Sequence, residues 1–284
     1  GTQSLVTAEP LSPAMPIRLL AVDVDGTLLR SDASLPQGVI QACRAAERAG
    51  CVVVLATARP PRGTRTLLQA LDITSPVINY NGAVIWNPLE DKAQYHEPIA
   101  PALAQEIVAE ARAINPQVMV AIEVLDHWHT DRVDERFLVT DGGAAQPDSV
   151  GALDDVLQQP TTKINIFGEP DTLKPVLEMV TERYWKPRHV AVFLTDPTLI
   201  QVTHPLVDKG IALQRIARKM NLQREQVMAI GDAANDLGML EWAGFGVAVA
   251  NAYPAVRTLA DAIVPSNDEL GVARAIQRFV LARR

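Results

Sequence analysis

Short unbroken apolar runs alternate along the chain with stretches in which apolar residues return every third or fourth position. "IRLLAVDV" (17–24), "CVVVLATA" (51–58) and "PVINYNGAVIW" (76–86) are of the first kind. Such runs predict strands buried on both faces of a parallel sheet, with Asn81 and Gly82 marking a turn inside the third. Between them Val39, Cys43, Ala46 and Ala49 share one face of a helix predicted over 36–49, Gly50 supplies its stop, and "TRTLLQAL" predicts a shorter helix. The same grammar returns in "VMAIGDAAND" (227–236), "FGVAVANA" (245–252) and "DAIVPS" (261–266). This alternation predicts an α/β fold built on a Rossmann-like, doubly wound parallel sheet.

The middle of the chain follows another pattern. Ile99, Leu103, Ile107, Ala111 and Ile114 mark one helix, and Leu173, Leu177, Val180 and Tyr184 a second with Pro175 expected in its first turn. The strand-like runs "VMVAIEV" and "TTKINIFG" lie between them, separated by "LVTDGGAAQPDSVGALDDV", which reads as loop plus a short helix. Residues 86–191 are therefore expected to form an inserted α+β cap domain. Residues 17–85 and 192–284 form the core, and residues 1–16 a mobile tail.

Composition narrows the functional classes. At 284 residues, with 48% hydrophobic and 21% charged positions and no long apolar run, the chain reads as globular without a membrane span. A net charge of −7 argues against nucleic acid or an anionic membrane as the main partner and leaves room for a small anionic metabolite beside a bound cation. Two cysteines, Cys43 and Cys51, suit buried thiols better than a disulfide framework. Without a basic segment followed by an apolar core near residue 1, a cytoplasmic location is the expectation.

Chemistry-bearing residues stand at predicted strand ends, where open α/β sheets bind ligands. Asp23 and Asp25 end the first strand, followed by Gly26 and Thr27; paired carboxylates there suit attack and proton transfer, and an ordinary Asp-x-Asp-Gly turn has the same spelling. Thr57 and Arg59 follow the second, where a hydroxyl can meet a phosphoryl oxygen or simply cap a helix. Lys209 in "VDKGIAL" offers a fixed positive charge or a solvated side chain. Asp232, Asn235 and Asp236 in "AIGDAANDLGML" offer hard oxygen ligands that suit Mg²⁺, or a helix cap. In "DHWHTD" (126–131), His127 and His129 have a spacing that could bind a transition metal, though such a pair without placed partners is more often a solvated loop, and Trp128 is a candidate to face the site from the cap.

These four elements, in this order, resemble the haloacid dehalogenase-like phosphohydrolases. "NYNGAVI" before the insertion, and "GDAANDLGMLEWAGFGVAVANAYPAVRTLADAIVPSNDELGVA" after it, are similar to the Cof-type branch, with Ala58 standing where that branch usually has Gly. The resemblance implies Asp23 as nucleophile, an aspartyl-phosphate intermediate, and Asp25 as general acid and base. It implies Mg²⁺ held by Asp23, the backbone carbonyl of Asp25 and Asp232, with Asp236 in support. Thr57, Lys209 and Asn235 would contact the phosphoryl group, and Arg59 substrate or its own loop. The implied activity is a phosphatase of small phosphorylated metabolites, sugar phosphates foremost. A sugar-phosphate mutase and a catalytically silent binding protein are the alternatives.

Overall fold

A computed structural model of the chain describes residues 11–137 and 146–282. Residues 1–10 of the expected tail and 138–145 of the Gly-rich stretch lie outside the described residues; Pro13, within the tail reading, is buried. In chain order the elements are β1 (Leu19–Asp23), α1 (Gln37–Arg48), β2 (Val52–Ala56), α2 (Arg65–Leu71), β3 (Val77–Asn79), β4 (Val84–Asn87) and β5 (Lys92–His96). There follow α3 (Pro101–Ile114), β6 (Met119–Val124), β7 (His127–Thr130), β8 (Ser149–Val150), β9 (Lys163–Phe167) and α4 (Pro170–Val180). The chain continues through β10 (Ala191–Asp196), β11 (Leu199–Thr203), α5 (Lys209–Lys219), β12 (Val227–Gly231), α6 (Leu237–Trp242), β13 (Phe245–Val249), α7 (Pro254–Leu259), β14 (Ala262–Val264) and α8 (Gly271–Ala275).

Two compact units divide the chain, one of residues up to 54 together with those from 214 onward, the other of residues 55–213. In the first, the strand order is β14-β13-β12-β1-β2. β1 and β12, β12 and β13, and β13 and β14 pair in parallel. β1 and β12 are buried at every residue, as expected of strands covered on both faces. From β1 the chain crosses to β2 on one side, and β12 lies on the other, so the strand order reverses between β1 and β12. In an open α/β sheet that reversal leaves a crevice at the carboxyl ends of the strands. α1 buries Val39, Ala42, Cys43 and Ala46. Both cysteines are buried free thiols, and burial pushes Cys43 up to about 12, which makes it inert.

In the second unit Ala56 pairs in parallel with Ile78, but β4 and β5 then run antiparallel. The apolar run 76–86 is thus two strands of a hairpin, because consecutive left-handed residues at Tyr80 (φ 50°) and Asn81 (φ 58°) reverse the chain. A separate six-stranded sheet has the order β10-β11-β9-β6-β7-β8. Ile122, Ile164, Ile166, Ile200 and Val202 on one of its faces pack with Ile107, Val108 and Ala111 of α3 and Leu173, Val176 and Val180 of α4. The strands "HVAVFL" and "LIQVTH" pair antiparallel as β10 and β11 and belong to this sheet. Two local details differ from the sequence pattern. Pro170 opens α4, which places Pro175 inside the helix rather than in its first turn, on the exposed side. The stretch after the Gly-rich segment contributes β8, two residues pairing in parallel with β7, and a single 3₁₀ turn at Val156–Gln158.

Candidate active site

The first unit gathers acids at the strand-order reversal. β1 ends at Asp23, 5% exposed, and the chain turns at once: Asp25 (φ −71°, ψ 128°) and Gly26 (φ 79°, ψ −3°) have type II turn geometry, and the Leu29 N–H donates to the Val24 carbonyl at 3.0 Å. Glycine is required at 26 twice over, for its positive φ and because a Cβ there would stand 2.3 Å from an Asp232 carboxylate oxygen. The turn leaves the Asp25 side chain exposed. The Thr27 hydroxyl, buried, lies 2.9 Å from Asp232 Oδ1 and 3.5 Å from Asp23 Oδ2, so it stands between the carboxylates of two neighbouring strands.

Asp232 follows β12 directly. Asp236 is fully buried, and its Oδ2 accepts the backbone N–H groups of Asp232 (2.9 Å) and Ala233 (3.1 Å), tying the loop into a tight turn before α6. One carboxylate oxygen each from Asp23, Asp232 and Asp236 lies within 4.8 Å of the others. Three hard anionic donors this close repel one another and suit a divalent cation. Asn235, half-buried, sits on the same loop. Asn251 and Asn267 hold the Asp25 turn from the far side: Asn251 Nδ2 donates to the Gly26 carbonyl at 2.8 Å, the Asn267 N–H donates to Asn251 Oδ1 at 3.0 Å, and Asn267 Nδ2 donates to the Leu29 carbonyl at 2.9 Å.

The second unit holds the remaining candidates. Thr57, 1% exposed, follows β2; its Oγ accepts the Arg59 N–H at 3.0 Å and its carbonyl accepts the Asn81 N–H at 2.9 Å. Ala58 takes no left-handed φ, so this turn has no need of the glycine usual in the branch. Arg59 Nη1 donates to the Gly63 carbonyl at 3.1 Å, which braces its own loop. Lys209 is fully buried at the start of α5, and Asp208 caps that helix through Oδ2 on the N–H groups of Gly210 (2.8 Å) and Ile211 (3.2 Å). Gly82 (φ 105°) lets the hairpin approach this cap, since a Cβ there would lie 2.5 Å from the Asp208 carbonyl oxygen.

A sequence model of the haloacid dehalogenase-like hydrolases matches residues 20–276, which takes in the Asp23 turn, the Thr57 loop, Lys209 and the Asp232 loop. The chain belongs to this family. The hydrolase is 28% identical to a Bacillus subtilis protein named 5-amino-6-(5-phospho-D-ribitylamino)uracil phosphatase YitU, with 92% of this chain and 97% of that one covered. It is 30% identical to the Bacillus subtilis phosphatase YwpJ over 93% of this chain and all of the other. Among solved structures, a haloacid dehalogenase-like hydrolase from Bacteroides thetaiotaomicron superposes with a TM-score of 0.82 at 27% identity, covering 92% of this chain and 99% of that one. The α/β core with a second sheet is thus the fold of the family, of Cof type.

Within the hydrolase, Thr27 and the Asn251–Asn267 pair went unmarked in the sequence pattern. Thr27 carried a signal in its place directly after Asp25 and Gly26; Asn251 follows a buried strand much as Asp232 does, two residues beyond Val249. The histidine pair lies on β7, where His127 Nδ1 is 3.1 Å from Asp148 Oδ1 and His129 Nδ1 is 2.7 Å from the Ser149 hydroxyl. Among the described residues, neither histidine belongs to a group of three metal-ligating side chains. No helix of the described residues is long and apolar enough to cross a membrane.

Proposed function

We propose that the protein is a Mg²⁺-dependent phosphatase of small phosphorylated metabolites, sugar phosphates foremost, acting through an aspartyl-phosphate at Asp23. The observation that carries this reading is the meeting of the Asp23 and Asp232 carboxylates across neighbouring strands, with Thr27 between them and Asp236 beside them. The phosphatase names of the relatives support it. Mg²⁺ held by Asp23, the Asp25 carbonyl and Asp232, with Asp236 in support, would supply positive charge against which a carboxylate and a phosphate can meet.

The chain's own residues do the rest. Asp23 attacks phosphorus in line, a P–O bond forms as the bond to the leaving oxygen breaks, and Asp25 gives that oxygen its proton. Asp25, now a carboxylate, takes a proton from the water that attacks the acyl phosphate, releasing phosphate and restoring Asp23. Exposure of the Asp25 side chain suits a group that must reach both leaving group and water. Thr57, Lys209 and Asn235 hold phosphoryl oxygens, and Arg59 braces the Thr57 loop. Residues 17–85 and those beyond β11 act as the catalytic core; the boundary expected at 192 cuts through β10, which with β11 belongs to the six-stranded sheet. The block 86–191, whose six-stranded sheet continues into β11, chooses the leaving group.

The test is phosphate release across phosphorylated sugars, nucleotides and cofactors, with Mg²⁺ and with chelator, combined with acid-quench capture of the labelled residue. Label on Asp23 and metal-dependent release support the reading. Retention of the phosphoryl group within a sugar bisphosphate marks a mutase instead, and label on another residue rejects the nucleophile.

A further inference from the structure

The face of the six-stranded sheet turned away from α3 and α4 carries buried polar side chains. Glu123 of β6 pairs across the ladder with Lys163 of β9, and Ala121 with Asn165, whose own partner on β11 is Gln201. Glu123 is 1% exposed, Asn165 2%, Lys163 6% and Gln201 7%. The two oxygens of the Glu123 carboxylate answer to different parts of the chain. Oε2 faces the sheet, 3.1 Å from Lys163 Nζ and accepting Asn165 Nδ2 at 3.1 Å, while Lys163 also donates to Gln201 Oε1 at 3.1 Å. Oε1 faces the loops, accepting Arg62 Nη2 at 2.6 Å, with the Tyr80 hydroxyl 3.4 Å away.

Arg62 and Tyr80 stand on the two loops that build the Thr57 turn. Arg62 lies in the turn Pro61–Gly63, and the N–H groups of Tyr80 and Asn81 donate to the carbonyls of Arg59 (3.1 Å) and Thr57 (2.9 Å). Both reach the same hairpin: the Arg62 N–H donates to Asp126 Oδ1 at 2.7 Å, the Tyr80 hydroxyl donates to the Leu125 carbonyl at 2.6 Å, and the Arg62 guanidinium lies 6.0 Å from the centre of the Trp128 ring. We propose that Arg62 is a positioning residue: with Glu123 it forms a breakable latch between the β6–β7 hairpin and the loop that carries Thr57 and Arg59.

The latch can open because its acid is neutralised from the sheet side. When Arg62 leaves, Lys163 and Asn165 still hold Glu123, and Arg62 enters water, so no buried charge is orphaned. What is exchanged for water is the charge-assisted hydrogen bond to Glu123, the Arg62 N–H bond to Asp126 and the guanidinium's contacts with Tyr80 and Trp128, not a core. The kinetic consequence rests on the phosphoryl-binding role proposed for Thr57; the mechanical one does not.

The experiment compares wild type with Arg62→Ala, Arg62→Lys, Glu123→Gln and the Arg62→Ala/Glu123→Gln double variant. It reads kcat and KM with p-nitrophenyl phosphate and a sugar phosphate, and amide hydrogen exchange over 57–63 and 119–130. The expected result is a KM about tenfold higher for Arg62→Ala and Glu123→Gln, a smaller change in kcat, no further loss in the double variant and partial recovery with Lys. Exchange in both segments should rise together while β1 and β12 keep their protection. A lowered unfolding midpoint with wild-type KM, or a rise confined to one segment, overturns the latch and leaves a structural ion pair. If Arg62→Ala fails to fold, the near-isosteric Glu123→Gln and Arg62→Lys decide. If wild type hydrolyses no phosphate ester, the phosphatase reading fails and exchange alone decides the latch.

Discussion

Two clusters of charged side chains in this molecule are built on opposite plans. Around Asp23, three carboxylates crowd within 4.8 Å, steadied by the Thr27 hydroxyl and by backbone N–H groups on Asp236. Around Glu123, one carboxylate is held between Lys163 and Arg62 with an amide beside it. The first arrangement concentrates negative charge at the carboxyl ends of parallel strands; the second cancels it within a sheet face. Concentrated charge is costly to fold and suits a site that meets a cation. Cancelled charge suits a contact that holds parts of the chain together.

The sharpest way to break the comparison is to remove the charge to which the proposed function assigns the chemistry. Asp23→Asn should fold like wild type and lose on the order of 10⁴-fold or more in turnover, since a group acting as nucleophile has no substitute. Chelator should likewise abolish turnover of wild type and Mg²⁺ restore it, while Ca²⁺, with its larger and looser coordination shell, inhibits. Circular dichroism and phosphate release check both. Full activity in excess chelator would remove the metal from the first group.

Asp25→Asn tests the exposed partner. With a sugar phosphate, whose leaving alkoxide needs a proton, formation of the phospho-enzyme should slow by about 10²- to 10⁴-fold. With p-nitrophenyl phosphate the first step should suffer far less, and a burst of p-nitrophenol before slow turnover should appear in rapid mixing. Equal loss on both substrates would make Asp25 a structural residue of its turn.

Stability separates the two plans directly. Glu123→Ala leaves Lys163 buried without its carboxylate and should cost about 3–5 kcal/mol in urea unfolding. Asp232→Asn, measured in chelator, keeps an acceptor for Thr27 and removes one of three like charges, so its midpoint should hold or rise. A large loss for Asp232→Asn would mean that the first group, too, is a structural one.

Acid gives the smallest expected effects. Burial pushes the Glu123 carboxyl up, but Lys163 and Arg62 pull it down further, so it lies below the ordinary range. A folded-state value depressed in this way contributes stability that is present above the ordinary glutamate value of about 4.3 and is lost as pH falls through the folded value. Wild type should therefore lose more stability than Glu123→Gln below about pH 4. Burial lowers His96 to about 4, with its Nε2 2.8 Å from the Thr162 hydroxyl. The unfolded chain then binds a proton that the folded one refuses between about 6.5 and 4, so stability declines as pH falls across that window. His96→Gln should flatten this part of the profile, read from unfolding midpoints at pH 4 to 7.

The buried strands and the acids at their ends were legible in the sequence because both are local properties. An apolar run such as "LLAVD" buries itself whatever follows, and the Asp, Gly and Thr after it need only a turn to converge. Likewise "VMVAIEV" reads as a strand on its own. Less was legible where a neighbour distant in sequence decides the outcome. The two-residue β8 exists through its pairing with β7, and β10 and β11 join the six-stranded sheet through the register of β11 on β9.

Glu123 marks the limit. Its sequence context fixes a position on β6 and the alternation of faces, and on that pattern alone it is a polar residue on a strand. Whether it meets water or a buried cation depends on Lys163, 40 residues on, brought opposite by strand register, and on Arg62, 61 residues back, brought over it by a loop. Periodicity is set by the backbone geometry of each element and is written in adjacent residues. Charge compensation is set by proximity in space, and only the packed chain decides which distant partners share it.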